Sequence, residues 1–123
     1  MLAAKSRKLL ATRASLLMIG RVSSTDIDRP TRERRWLTLT RDALPAQAAH
    51  RRWPVSADHC FQRILLDHAC GGRWYDHIAA RPAYRHAPDA ILNAAIALGE
   101  AVLTGSADLA ALNDQSLRWR GKR

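Results

Sequence analysis

The chain has 123 residues, 47% of them hydrophobic and 25% charged, and carries 20 Lys and Arg against 11 Asp and Glu, a formal charge of +9. This length supports one domain with its own core, and the apolar content excludes the low-hydrophobicity profile of a disordered chain. Cys60 and Cys70 are too few for a disulfide framework, and no apolar run reaches the ~18 residues of a membrane span, so a soluble cytoplasmic protein is expected.

Such a charge predicts partners rather than a fold: nucleic acid, ribosomes or anionic lipid. Nearly all of it is arginine, whose planar fork grips phosphate at two points or stacks on a base. A GC-rich genome favouring arginine codons gives the same excess. The charge is uneven. Residues 1–30 and 31–55 each hold six basic and two acidic groups, residues 56–104 hold four and five, and residues 105–123 hold four and two. A near-neutral centre thus lies between basic flanks.

In chain order, the first 25 residues lack any acid, and Lys5, Arg7, Lys8, Arg13 and Arg21 alternate with Ser and Thr, which is transit-peptide composition. Leu2, Leu9 and Leu16 recur every seven residues, so a helix here has an apolar stripe and a basic flank. Three readings fit: an organelle presequence, a membrane-surface helix, and an extension ahead of a start at Met18. Residues 21–35, polar and broken by Pro30, read as a linker. Trp36–Thr40 favours a strand or an extended arm.

From Ser56 a helical face appears in Ala57, Cys60, Phe61, Ile64, Leu65 and His68, with Ser56 as cap and Gly71-Gly72 as stop. Trp74, Tyr75, Ile78 and Tyr84 give the next connector large anchors, so it should pack down, with a helical turn. Pro88 and Asp89 open a second helix with the stripe Ile91, Leu92, Ala95, Leu98, Val102 and Leu103, ended by Gly105. A third follows, with Ser106 as cap and Leu109 and Leu112 buried. The expectation is a mainly α fold: a small three-helix core over residues 56–123 with a basic C-terminal tail, and a basic, partly extended N-terminal region over residues 1–55. Phe61, Ile64, Leu65, Trp74, Tyr75, Ile91, Leu98 and Leu109 should fill a core running from Ser56 to Leu117.

Each of the four tryptophans follows an arginine, at 35–36, 52–53, 73–74 and 118–119. Aromatic faces stack on bases while arginines hold phosphates, yet neighbours in sequence do not share a face, so core anchoring by Trp is the preferred reading. The clusters Arg32, Arg34, Arg35, then Arg51, Arg52, and finally Arg118, Arg120, Lys122, Arg123 are the candidate polyanion-binding residues. His59, Cys60, His68, Cys70 and His77 crowd together, but cysteines ten apart do not match the close pairs of a zinc site, and no metal is expected. Nothing marks an activated thiol or a catalytic residue; Asp67 is placed to pair with Arg63 one turn back.

The stretch DHCFQRILLDHACGGRWYDHIAARPAY and the later LNDQSLRWRGKR resemble short proteobacterial proteins labelled as GNAT-type N-acetyltransferases, over residues 53–123. The resemblance implies a mixed α/β fold, acetyl-CoA as cofactor and acetyl or other acyl transfer. In that family a Gly-rich turn holds the pyrophosphate on backbone amides. The nearest match here, Ile96–Ala101, lacks the leading Arg or Gln and puts Glu100 where phosphate should approach. The residues themselves favour a noncatalytic helical module without a cofactor that binds RNA, DNA, a ribosome or a larger complex through basic arms. Acyl transfer and a protein-protein adaptor are the alternatives.

Overall fold

A computed structural model describes residues 28–122; the readings made for residues 1–25 and for Arg123 lie outside the described residues. The chain runs through α1 (Arg29–Thr38), a π-helical turn (Leu39–Ala43), α2 (Leu44–Ala48), α3 (Asp58–Cys70), a 3-10 turn (Trp74–Asp76), α4 (Ala83–His86), α5 (Asp89–Thr104) and α6 (Leu109–Trp119), with no strand among the described residues. The fold is mainly α, as the sequence indicates, and α3, α5 and α6 are the three helices expected.

The region read as linker and extended arm is instead helical from residue 29 to residue 48. Asp28 caps α1, its Oδ1 accepting from the Thr31 amide at 3.0 Å. Pro30 sits in the first turn, where a missing N–H costs nothing, so it starts the helix rather than breaking it. Arg32, Trp36, Leu39, Thr40, Leu44 and Ala48 are buried at helical spacing. The β-branched and aromatic character of Trp36–Thr40 is overruled by burial, because Trp36 and Leu39 pack fully out of solvent against the other helices. Just before Pro45 the helix widens, with the Leu44 amide donating to the Leu39 carbonyl five residues back. A proline ring presses on the carbonyl one turn behind it, and the wide turn accommodates that ring without ending the helix. Thr40 Oγ1–H donates to the Trp36 carbonyl at 2.9 Å, and Gln62 Nε2–H donates to Thr40 Oγ1 at 3.0 Å, which ties the widened turn to α3.

The helix ends predicted from the sequence hold within a residue or two. Gly71 and Gly105 terminate α3 and α5 with φ of 75° and 85°, conformations that favour glycine. The caps differ. Ala57, not Ser56, precedes α3, and Asp108, not Ser106, caps α6 by accepting from the amides of Ala110 and Ala111. Asp at this position satisfies two donors that would otherwise be orphaned and meets the positive helix end.

The core fills the space between α1, α3 and α5, where Trp36, Leu39, Leu44, Phe61, Ile64, Leu65 and Leu92 have no solvent exposure. Burial of each contributes roughly 1.5–3 kcal/mol before entropy is counted. Gly99 marks a close approach of α5 to its neighbours in this core. A Cβ placed on it would lie 2.5 Å from Leu39 Cδ2 and 3.0 Å from Leu65 Cδ1, so α5 can approach the π-turn only because position 99 has no side chain. Of the expected core set, Trp74, Ile91 and Leu98 are half-buried and Tyr75 is exposed. The connector after α3 packs down through Ile78 and Ala83, and leaves Tyr75 at the surface.

Candidate anion-binding cleft

The arginines expected to bind polyanions are spread over the molecule, and most are occupied. Arg32 is buried, with Nη1–H donating to Asn93 Oδ1 at 3.1 Å and Nη2 at 3.4 Å from Asp89. Arg35 holds Glu100 at 2.6 Å, and Arg118 holds Asp114 at 2.9 Å. Arg51 donates to the carbonyls of Val102 and Leu103, capping the C-terminal end of α5, and lies 5.3 Å from the Trp53 ring. Arg34 is exposed and bonds to Thr31 Oγ1; Arg52, at a φ of 56°, and Lys122 are exposed too. Of the expected set, Arg32 and Arg35 line a smaller cavity that also holds Glu100, and Arg120 lines a larger one together with two further arginines, Arg63 and Arg81.

That cavity is a cleft of about 620 Å³ between α1, α3 and the segment from Trp74 to Tyr84. One side is a stripe of α3, His59, Gln62, Arg63 and Leu66, which share a helical face by their spacing of three, four and seven. Trp74 and Tyr75 come from the 3-10 turn, Arg81 from the loop that follows, Tyr84 from α4, and Trp36 from α1. Among the described residues no Asp or Glu lines it.

Its electrostatics rest on one buried carboxylate. Asp67 is fully buried on the side of α3 facing α6. Its Oδ2 accepts from Ser116 Oγ at 2.7 Å and Arg120 Nε at 2.8 Å; its Oδ1 accepts from Arg120 Nη2 and the Trp74 amide, both at 2.9 Å. The pairing of Asp67 with Arg63 that the helical spacing suggests does not occur. Arg63 turns toward α6, donating from Nη1 to Ser116 Oγ at 2.8 Å and from Nη2 to Asn113 Oδ1 at 2.7 Å. The physical reason is geometric. A bidentate guanidinium from α6 fits the planar carboxylate on both oxygens, which a neighbour on the same helix cannot match. The hydrogen bond to Asp67 keeps the Arg120 guanidinium more firmly protonated than usual.

Arg120 is therefore paired with a carboxylate behind the wall of the cleft, and Arg63 is joined to that carboxylate only through the Ser116 hydroxyl. A third cation, Arg81, lies over the Trp74 ring at 4.8 Å. Among the described residues neither Arg63 nor Arg81 has an ion pair. Three guanidiniums against Asp67 leave an excess of two positive charges; those of Arg63 and Arg120 are partly buried, where a charge counts for more than in bulk water, and that of Arg81 is exposed. Arg120 also sits 5.1 Å from the Tyr75 ring, and Trp74 meets Tyr75 edge to face at 5.8 Å. The Trp36 Nε1–H, within the core that floors the cleft, has no acceptor among the described residues.

The other tryptophans anchor the fold: Trp36 is buried, Trp53 packs edge-on against Phe61 at 5.7 Å, and Trp119 against His68 at 4.9 Å. The sequence reading missed Arg63, Arg81 and the α3 stripe; the spacing of His59, Gln62, Arg63 and Leu66 was the available signal. Ile96–Ala101, the stretch compared with an acetyl-CoA turn, is the interior of α5, with Gly99 buried and Glu100 paired with Arg35. Among the described residues no three His, Cys, Asp or Glu side chains gather to hold a metal, and no helix is long and apolar enough to cross a membrane. No family model, curated protein or solved structure matches this chain.

Proposed function

We propose that the protein is a noncatalytic module that binds single-stranded nucleic acid, and that the cleft between α1, α3 and α4 is where it does so. The observation that carries this reading is the composition of the wall: Arg63, Arg81 and Arg120 beside Trp74, Tyr75 and Tyr84, with no acidic residue among them. Arginine forks hold phosphate oxygens in pairs. Aromatic faces accept any base, each stacked base contributing about 1–3 kcal/mol. Duplexes offer neither an unstacked base nor a shape that fits a cleft of this size, so the single strand is the form it suits.

Anisotropy titration of a short fluorescent single-stranded RNA at two salt concentrations tests the reading. Binding should weaken as salt rises, since phosphate contacts release counterions. Arg81→Gln and Tyr75→Ala, both at exposed positions, should each weaken it by about tenfold, corresponding to ~1.4 kcal/mol. Affinity unaffected by salt and by both substitutions would refute it. The acyl-transfer alternative is separated by titrating acetyl-CoA, which that reading requires to bind and to donate its acetyl group.

A further inference from the structure

Resting on that reading, we infer that the cleft is built for the phosphorylated end of a strand: it takes a terminal nucleotide bearing a phosphomonoester, with the phosphate between Arg63 and Arg120.

Three observations lead there. The first is the way the two guanidiniums are held. Arg63 binds Ser116 Oγ, Ser116 Oγ binds Asp67 Oδ2, and the same oxygen accepts from Arg120 Nε, so one hydroxyl and one carboxylate oxygen separate the two side chains. A guanidinium has five N–H donors. Each of the two uses two of them on this network, which leaves three on each for a ligand. The buried carboxylate thus fixes two half-used forks side by side, an arrangement that matches the three terminal oxygens of a phosphomonoester better than the two free oxygens of a phosphodiester.

The second is charge. Arg63, Arg81 and Arg120 against Asp67 leave an excess of two. A phosphomonoester carries roughly −1.5 to −2 at neutral pH, whereas an internal phosphodiester carries one negative charge.

The third is extent. At about 620 Å³ the cleft lies within the ~300–1,000 Å³ typical of pockets that enclose a single small ligand. The cations around it do not form a continuous track for a longer strand: Arg34 and Arg52 lie outside its wall, Arg118 is held by Asp114 and Arg73 by Asp76, and Arg85 lies beside the Tyr84 ring at 5.9 Å. A strand can place its end in such a pocket, with the terminal base against Trp74, Tyr75 or Tyr84.

The test uses the full chain and four labelled hexanucleotides of one sequence: single-stranded RNA with a 5′-phosphate, with a 3′-phosphate, with both, and with neither. Unlabelled nucleoside 5′- and 3′-monophosphates serve as competitors. The expected result is a preference of about tenfold or more for a phosphorylated end over the hydroxyl form, as charge-assisted hydrogen bonds to one added oxygen allow. Arg63→Gln, which can keep a hydrogen bond to Ser116 or Asn113, should reduce the preference to within about twofold. Arg34→Gln, outside the cleft, should leave it intact. Equal affinity for all four oligonucleotides overturns the phosphorylated-end inference and leaves the single-strand reading standing. Monophosphates that compete as strongly as the oligonucleotides retain the phosphomonoester site but overturn the strand as its source. Absence of binding by every probe overturns both.

Discussion

Removing residues 1–55 should abolish the fold rather than trim an arm. A chain of residues 56–117 keeps α3, α5 and nearly all of α6 but loses Trp36, Leu39 and Leu44, all with no solvent exposure, and Ala48 at 2%. Truncating a buried Trp costs about 3–5 kcal/mol and a buried Leu about 2–5 kcal/mol. Three such losses together reach roughly 7–15 kcal/mol, comparable with the entire ~5–15 kcal/mol stability of a domain. Phe61, Ile64, Leu65 and Leu92 would then face water. The same truncation ends before Arg120 and leaves Asp67 without its bidentate partner. Urea titration followed by far-ultraviolet circular dichroism is the assay, with residues 28–122 as the control. The control should unfold in one cooperative step and the 56–117 fragment should show none. A cooperative transition in the fragment near the control's midpoint would refute the assignment of α1 and α2 to the core.

Asp67→Ala should lower stability by about 3–5 kcal/mol, as removal of one partner leaves the mostly buried Arg120 uncompensated; chemical denaturation measures this, and a loss under about 1 kcal/mol would mean that Asp67 does not organise the cleft. The Asp28 and Asp89 carboxyls are both held below the ordinary value, Asp28 by hydrogen bonding to Thr31 and Asp89 chiefly by the Arg29 guanidinium. Depressed carboxylates favour the fold above their unfolded pKa and lose that contribution as pH falls through the folded value. The urea midpoint should therefore drop below about pH 4, and the gap between wild type and Asp89→Asn should be widest near neutrality and close in acid. Burial raises the Cys70 thiol above its usual pKa, with Asp67 adding to the effect. Its alkylation at neutral pH should consequently be slower than that of glutathione, and mass spectrometry after timed iodoacetamide treatment reads the rate.

The legible parts of this fold were those with local punctuation. Gly71 and Gly105 mark helix ends by backbone chemistry alone, and the stripes of α3 and α5 need only their own residues to be seen. What escaped depends on partners far away in sequence. Pro30 opens a helix or breaks a linker according to whether Asp28 caps it and whether Trp36 and Leu39 find α5. Asp67 has an apt neighbour at Arg63, yet is claimed by Arg120, 53 residues on. The cleft was obscured for a related reason. Two of its three cations, Arg63 and Arg81, come from the segment whose net charge is near zero, where Asp58, Asp76, Asp89 and Glu100, which balance the count, are paired with other arginines. A running charge sum along the chain does not see that separation.

The contact between Gly99 and Leu39 makes those two positions one unit of volume. Enlarging either side alone overfills a space that neither the π-turn nor α5 can widen without disturbing Leu65. Gly99→Ala should cost roughly 1–3 kcal/mol through overpacking, despite the better helix propensity of alanine, and Leu39→Ala about 2–5 kcal/mol through the cavity it leaves. The double variant should be less destabilised than their sum, with a coupling of about 0.5–3 kcal/mol. In evolutionary terms, the two sites should exchange size, so that a homologous chain with alanine at the position of Gly99 carries a smaller residue than leucine opposite it.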